Sequence, residues 1–321
     1  YWPDISSESN VAFQSVTQAE RPTSGSVIVK HSDGDAFVLA KNGFAPAWSP
    51  NGQWIAYFVR SDAGIEIWRS SPTGNDTVKL ADDDVWPLGY STSPYLKVGT
   101  NHLSWSPDSS QIAFESRRGG ASNIWLVGVD GANLTQVTSN DDKRDSYCCP
   151  LWTPDARSAI ISAASPTGSR IVVYEFGSPD LRRIFESKER IRVLGLSEDG
   201  KAVILAKRRD SADLAAATAV AEILLLPLSG GVPSKVDELA NTYFNNIHLS
   251  HDGRSIAFTT EVDGITSIRT ISIKGGLQKE LIAEKDPKVM ISSLAWSPDG
   301  KTIVFGKQTR THLLSQLSKQ N

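Results

Sequence analysis

The sequence predicts an all-β fold: a β-propeller of six four-stranded blades, the last blade closed by both termini. Three observations carry this expectation. A turn motif recurs six times, its copies are nearly evenly spaced, and the same succession of apolar segments follows each copy. Seven blades is the alternative, because the apolar segments are slightly too many for six blades and too few for seven.

The copies are Trp48-Ser49-Pro50-Asn51-Gly52, Trp105-Ser106-Pro107-Asp108, Trp152-Thr153-Pro154-Asp155, Leu196-Ser197-Glu198-Asp199-Gly200, Leu249-Ser250-His251-Asp252-Gly253 and Trp296-Ser297-Pro298-Asp299-Gly300. Their first residues lie 57, 47, 44, 53 and 47 positions apart, close to the length of one propeller blade. Pro presets a turn dihedral, Asp or Asn bonds its own backbone, and Gly accepts positive φ, so the motif reads as a hairpin corner. Ser109 and Ala156 stand in place of Gly, and Glu198 and His251 in place of Pro; a different turn geometry is expected at these corners.

The segment after each corner is apolar on both faces, as in Ile112-Ala113-Phe114 and Ile256-Ala257-Phe258. That pattern suits a strand sandwiched between neighbouring sheets. A third strand follows, as in Ile67-Trp68 or Ile124-Trp125-Leu126, then a turn such as Asp130-Gly131 or Gly230-Gly231. A short fourth strand ends the unit, as in Thr135-Gln136-Val137-Thr138. The fourth unit is the most degraded and carries the Ala-rich insert Asp213-Leu214-Ala215-Ala216-Ala217.

The whole chain, 1–321, reads as one propeller domain. Residues 1–24 form an N-terminal extension or closing strand, and Val11-Ala12-Phe13-Gln14-Ser15 resembles the second-strand signature. The C-terminal unit offers Trp296, Ile303 to Phe305 and Leu313-Leu314 but no fourth strand, which is why both termini are expected to share the last blade. Residues 82–100 are read as an inserted loop.

Bulk properties exclude several functions. Net charge is −3 and charged residues make up 21% of the chain, with no basic stripe of the kind a nucleic-acid partner requires. Lys207-Arg208-Arg209 reads as a solvated loop. No apolar run reaches the length of a membrane helix. Tyr1-Trp2-Pro3 reads as the edge of a processed chain, so membrane association is expected only through an anchor upstream of it. The two cysteines, Cys148 and Cys149, are adjacent; we read them as two free or buried thiols, with a vicinal disulfide as the alternative. No cofactor is expected. Asp82-Asp83-Asp84 and Asn140-Asp141-Asp142 have the hard oxygens that Ca²⁺ takes but no known loop spacing, and solvated acidic loops are the preferred reading.

Repeats of the form Trp-Ser-Pro-Asp-Gly, Ile-Ala-Phe, Ile-Trp, Asp-Gly resemble the TolB-type propeller repeat. That repeat is shared with WD-like repeats and with the propellers of tricorn and dipeptidyl-peptidase proteins, and with propeller domains of bacterial sensor-regulator chains. The resemblance runs from about residue 11 to residue 317. It implies an extracytoplasmic or periplasmic propeller that binds a protein, a peptide or a small polar ligand. The blade motif is structural, so it identifies no functional residue.

Catalytic motifs are missing: there is no nucleophile elbow, phosphate loop or zinc-binding His-Glu-x-x-His. The expected function is therefore non-catalytic binding or scaffolding by a monomeric domain. A hydrolase or lyase at the channel mouth, using His102 or His248, is the alternative. Propellers place binding groups on the loops that lead into each innermost strand. By register these are Phe44, Asn101, His102, Tyr147, Arg192, Tyr243, Asn245 and Asn246. The inserted loop adds the aromatic candidates Trp86, Tyr90 and Tyr95.

Overall fold

The structure is a computed structural model and describes residues 3–15, 25–62, 64–83, 103–118, 121–139, 146–165, 167–178, 180–209 and 218–309. These residues form only strands and turns. Trp86, Tyr90, Tyr95, Asn101, His102, residues 84–100 of the inserted loop, the Ala-rich insert, Asn140 to Asp142 and Leu313-Leu314 lie outside the described residues. None of the described segments is a helix long and apolar enough to cross a membrane.

Blade 1 contains β1 (Asp4–Ile5), β2 (Val11–Ser15), β3 (Ser26–Lys30) and β4 (Ala36–Lys41). Blade 2 follows with β5 (Gly43–Trp48), β6 (Ile55–Ser61), β7 (Gly64–Ser70) and β8 (Thr77–Asp83). Blade 3 has β9 (Leu103–Trp105), β10 (Gln111–Ser116), β11 (Asn123–Gly128) and β12 (Thr135–Gln136). In blade 4 these are β13 (Ser146–Trp152), β14 (Ser158–Ser165), β15 (Gly168–Glu175) and β16 (Leu181–Ser187).

The next seven strands form one continuous sheet: β17 (Ile191–Leu196), β18 (Ala202–Arg209), β19 (Ala219–Pro227), β20 (Ser234–Leu249), β21 (Ser255–Val262), β22 (Ile265–Ser272) and β23 (Lys279–Glu284). The first part of β20 pairs with β19 and the last part with β21, so one long strand serves as the outermost strand of blade 5 and the innermost of blade 6. Finally β24 (Val289–Trp296) and β25 (Ile303–Thr309) pair as the described part of a last unit.

The all-β propeller expected from the repeat is the fold found. Its closure differs from expectation. The strands β1 to β4 pair in chain order with one another, so among the described residues no blade mixes the two ends, and the strands fall into seven units. The reason is a degenerate first copy of the motif, Ile5-Ser6-Ser7-Glu8-Ser9, which lacks Trp, Pro and Gly yet folds as the others do. Ser9 N donates to Ser6 O (3.0 Å), as Gly52 N donates to Ser49 O (2.9 Å). The segment Val11–Ser15 is the second strand of this blade.

All seven corners share one geometry, which corrects the expectation of a different turn at Ser109, Ala156, Glu198 and His251. The last corner residue takes positive φ whatever its identity: Ser9 64°, Gly52 70°, Ser109 62°, Ala156 57°, Gly200 67°, Gly253 69° and Gly300 68°. A hydroxyl holds each of the six sequence-recognised corners from inside. Ser106 Oγ accepts from Gln111 N (2.9 Å) and donates to Asp108 Oδ1 (2.6 Å), which accepts from Ser110 N (3.0 Å). Ser297 and Asp299 repeat the pattern at 2.9, 2.6 and 3.1 Å. The hydroxyl and the carboxylate hold the turn by hydrogen bonds, so it forms at Glu198 and His251 without Pro and at Ser109 and Ala156 without Gly.

Successive side chains of a strand point to opposite faces, so each second strand feeds two interfaces. In β6, Ile55 and Tyr57 pack toward blade 1, while Ala56 and Phe58 pack toward blade 3. In β18, Val203 and Leu205 face blade 4, and Ile204 and Ala206 face blade 6. The buried apolar residues therefore form six clusters, one between each consecutive pair of blades. At the seventh junction β1 touches β24, and no apolar cluster of described residues lies there.

Candidate functional site

The innermost strands carry a shared irregularity. Their pairing with the second strand shifts register between Phe44 and Ala47, Cys148 and Leu151, Val193 and Gly195, Thr242 and Ile247, and Ile291 and Ser293. A bulge bends a strand and re-aims its side chains. Here it turns the part of these five inner strands ahead of the repeat Trp or Leu. Pro46 and Pro150, which have no N–H to give the ladder, sit inside two of these bulges.

The bulges of blades 5, 6 and 7 bring together several residues expected at the channel mouth. From β17, Arg192 crosses to β20, where its Nη1 donates to the carbonyls of Asn245 (2.6 Å) and Phe244 (3.2 Å). Arg190 Nη2 donates to Asn245 Oδ1 (3.0 Å), and its guanidinium lies 5.1 Å from the centre of the Phe244 ring. Asn246 Nδ2 donates to Ser292 O on β24 (3.0 Å). Side chains of one inner strand thus hold the backbone of the next. The Tyr243 hydroxyl donates to the Glu261 carboxylate on β21.

Arg190 and Arg208 are not among the site residues the sequence predicts. Arg208 N donates to Arg190 O (2.9 Å), which sets the two residues opposite each other, and Arg208 is only 5% exposed. Lys207-Arg208-Arg209 is therefore the end of strand β18, not the solvated loop expected. Lys207 and Arg209 pair with Glu222 (2.9 Å) and Glu238 (2.9 Å) on one face, and Arg208 turns to the other. A signal lay in the spacing: Arg190 immediately precedes β17 and Arg192 is its second residue, two apart as residues on one face of an extended chain are.

Electrostatics follow from this crowding. Burial, with the Arg190 charge beside it, pulls Arg192 down to about 9. Burial and the Arg208 charge pull Arg190 down to about 10. Burial and the Arg192 charge push His248 down to about 3, so its imidazole is neutral at physiological pH. A base this weak is poorly matched to proton abstraction near neutrality. The site offers cationic donors, amides and an aromatic face, the groups of directional binding.

Other expected residues lie elsewhere. Phe44 is fully buried, its ring 5.3 Å from that of Phe58 in the core between blades 2 and 3. The structure thus corrects its assignment to the channel, since this side chain packs. Tyr147 packs between blades 3 and 4, and its carbonyl accepts from Ser122 Oγ (2.9 Å). Cys148 and Cys149 are joined by a disulfide, which corrects the reading as free thiols. Asp82 is engaged by Lys79 (2.5 Å), and the described residues contain no cluster of three metal-ligating side chains.

No family model matches the sequence. Among curated proteins, the Tol-Pal system protein TolB of Anaeromyxobacter dehalogenans (strain 2CP-1 / ATCC BAA-258) is 28% identical over 96 residues, 30% of this chain and 19% of that protein. The matched stretch is thus about a fifth of the relative's length. Among solved structures, TolB from Acinetobacter baumannii superposes with a TM-score of 0.59 at 16% identity, covering 86% of this chain and 64% of that one. The β-propeller domain of the Trilobed protease from Pyrococcus furiosus, described as having an open velcro topology, gives 0.66 at 14% identity over 98% and 92%. The chain thus shares the β-propeller fold of these proteins, and over the matched 96 residues its sequence is similar to that of TolB.

Proposed function

We propose that the chain is a non-catalytic binding and scaffolding propeller, the extracytoplasmic sensor or protein-interaction domain of a larger bacterial protein. It acts as a monomeric domain and engages a protein, a peptide or a small polar ligand at its channel mouth. The observation that carries this reading is the meeting of Arg190 and Arg192 with Asn245 at the junction of blades 5 and 6, with Arg208 opposite Arg190. Cationic donors set beside an amide and an aromatic ring are the groups that recognise an acidic or polar partner by directional contacts. The likeness to TolB supports a protein partner, because the relative is named for a system of proteins. The disulfide supports an oxidising compartment.

A photo-crosslinking residue at the exposed Asn245 tests the reading, with a second at Asp299 on the opposite rim as control. A discrete product from position 245 and none from 299 is expected. Equal labelling from both positions, or none from either, overturns it.

A second reading, a hydrolase or lyase at the mouth, has one observation in its favour: the Pyrococcus furiosus neighbour is the propeller of a protease. Against it stands His248, neutral and beside a cation rather than a carboxylate. If His248→Ala abolished a hydrolytic or eliminating activity of the folded chain, this second reading would replace the first.

A further inference from the structure

The disulfide between Cys148 and Cys149 does not fit either of the usual structural roles. A disulfide stabilises a fold mainly by closing a loop of the unfolded chain, and the effect grows with loop length. This one has a sequence separation of 1 and closes no loop. Nor is it needed to shape the strand. Cys149 has φ 58° within the bulge of β13, and Ala45 has φ 49° at the matching place in β5. The two segments correspond residue by residue: Phe44-Ala45-Pro46-Ala47-Trp48 beside Cys148-Cys149-Pro150-Leu151-Trp152. Blade 2 thus makes the same bulge with no sulfur at all.

Accessibility divides the pair. Cys148 is 4% exposed and its backbone pairs with Ser162 in β14, whereas Cys149 is half-buried on the strand that lines the channel. We propose that Cys148 and Cys149 form a reversible thiol–disulfide exchange site at the channel mouth, open to a small dithiol or to a partner's thiols, whose reduction leaves the propeller folded. This goes beyond the binding function above and stands independently of it.

The exchange balances as follows. A thiolate of the reductant attacks Cys149 Sγ, the sulfur–sulfur bond breaks, and Cys148 leaves as a thiolate that takes up a proton. The reductant's second thiolate then attacks its own sulfur in the mixed disulfide and releases Cys149, which is protonated in turn. Two electrons and two protons pass to the cysteine pair, and the reductant leaves as a cyclic disulfide. Rates follow thiolate access, so attack is directed at the more exposed sulfur.

The test uses the full chain under native conditions. The protein is oxidised with oxidised glutathione, titrated with dithiothreitol, quenched with N-ethylmaleimide and weighed intact by mass spectrometry. No added alkyl group before reduction and two afterwards are expected, with return to none on reoxidation. The melting temperature of the two forms should agree within about 4 °C. Cys149→Ala, which copies the blade 2 sequence, should fold with the same near-ultraviolet circular dichroism. Two alkyl groups on the oxidised protein would overturn the proposal, as would reduction only in denaturant, a larger drop in melting temperature, or misfolding of Cys149→Ala. Each of these outcomes leaves the crosslinking result at Asn245 unaffected, so the two inferences fail separately.

Discussion

The indole Nε1 of Trp152 donates to the carbonyl of Ser104, one residue ahead of the repeat aromatic in the preceding blade (3.0 Å). Trp105 does the same to Ala47 (3.0 Å) and Trp296 to His248 (3.1 Å). The repeat Trp is therefore a latch between adjacent inner strands as well as an apolar wedge. Trp48 is the exception. Its Nε1 is buried with no hydrogen-bond partner among the described residues, while its backbone N donates to Asp4 Oδ2 (2.7 Å).

This difference gives the first prediction. Trp152→Phe should lower stability by roughly 1 to 2 kcal/mol through the lost hydrogen bond and reduced packing, and Trp152→Ala by about 3 to 5 kcal/mol through the cavity. Trp48→Phe should cost less than Trp152→Phe, because no latch is broken. Urea unfolding midpoints of the three variants check the ranking; equal costs for the two Phe variants would refute the latch.

A second prediction concerns the corners. Ala156 holds φ 57°, a region that costs a residue with a β-carbon about 1 kcal/mol. Ala156→Gly should therefore raise the melting temperature slightly. Gly253→Ala should do the opposite. A Cβ there would meet Leu196 O at 2.6 Å and Glu198 N at 2.7 Å, both backbone atoms of the preceding blade. Neither atom can move without shifting that blade's corner, so strong destabilisation or failure to fold is expected in thermal melts.

The corner carboxylates make stability depend on acid. The hydroxyls of Ser106, Thr153, Ser197, Ser250 and Ser297 hold Asp108, Asp155, Asp199, Asp252 and Asp299 below the usual carboxylate range. A depressed acid adds stability above its unfolded pKa, near 4, and loses it as pH falls through the folded value. Melting temperature should accordingly drop below about pH 4. Asn51, which occupies the same place in blade 2, cannot titrate. Asp108→Asn and Asp299→Asn together should flatten the acid limb; an unchanged limb would show that these corners do not set it.

His248 extends the acid dependence upward. Its folded pKa of about 3 lies below the unfolded value of about 6.5, so the unfolded chain binds the extra proton between them. Stability from this residue is complete above pH ~6.5 and declines toward pH 3. An NMR titration should show a neutral ring down to pH ~4. Arg192→Gln should raise the midpoint by removing the neighbouring charge. A midpoint near 6.5 in the parent chain would contradict the burial that the structure gives it.

The propeller was legible because its information is repeated. Six corners announce themselves through Ser or Thr, Asp or Asn and a preceding Trp or Leu, and the two-faced runs such as Ile112-Ala113-Phe114 say that each sheet is covered on both sides. The first blade was hidden because Ile5-Ser6-Ser7-Glu8-Ser9 keeps the hydrogen-bonding Ser6 and drops the residues that catch the eye. The candidate site was half legible. Register placed Arg192, Asn245 and Asn246 near the mouth, but it also placed Phe44 there, because periodicity gives position along a strand and a bulge decides which way the side chain turns. Arg208 was missed because a run of three cations looks solvated until its strand register separates the middle one from its neighbours.

The packing between blades has a mechanical consequence. Among the described residues, apolar clusters seal six junctions and none lies where β24 meets β1. In a modular array whose units hold only their neighbours, the poorest joint decides where the circle parts. Among the described residues that joint is the one between β24 and β1, so a cross-link between these two strands should slow unfolding more than one placed across a sealed junction.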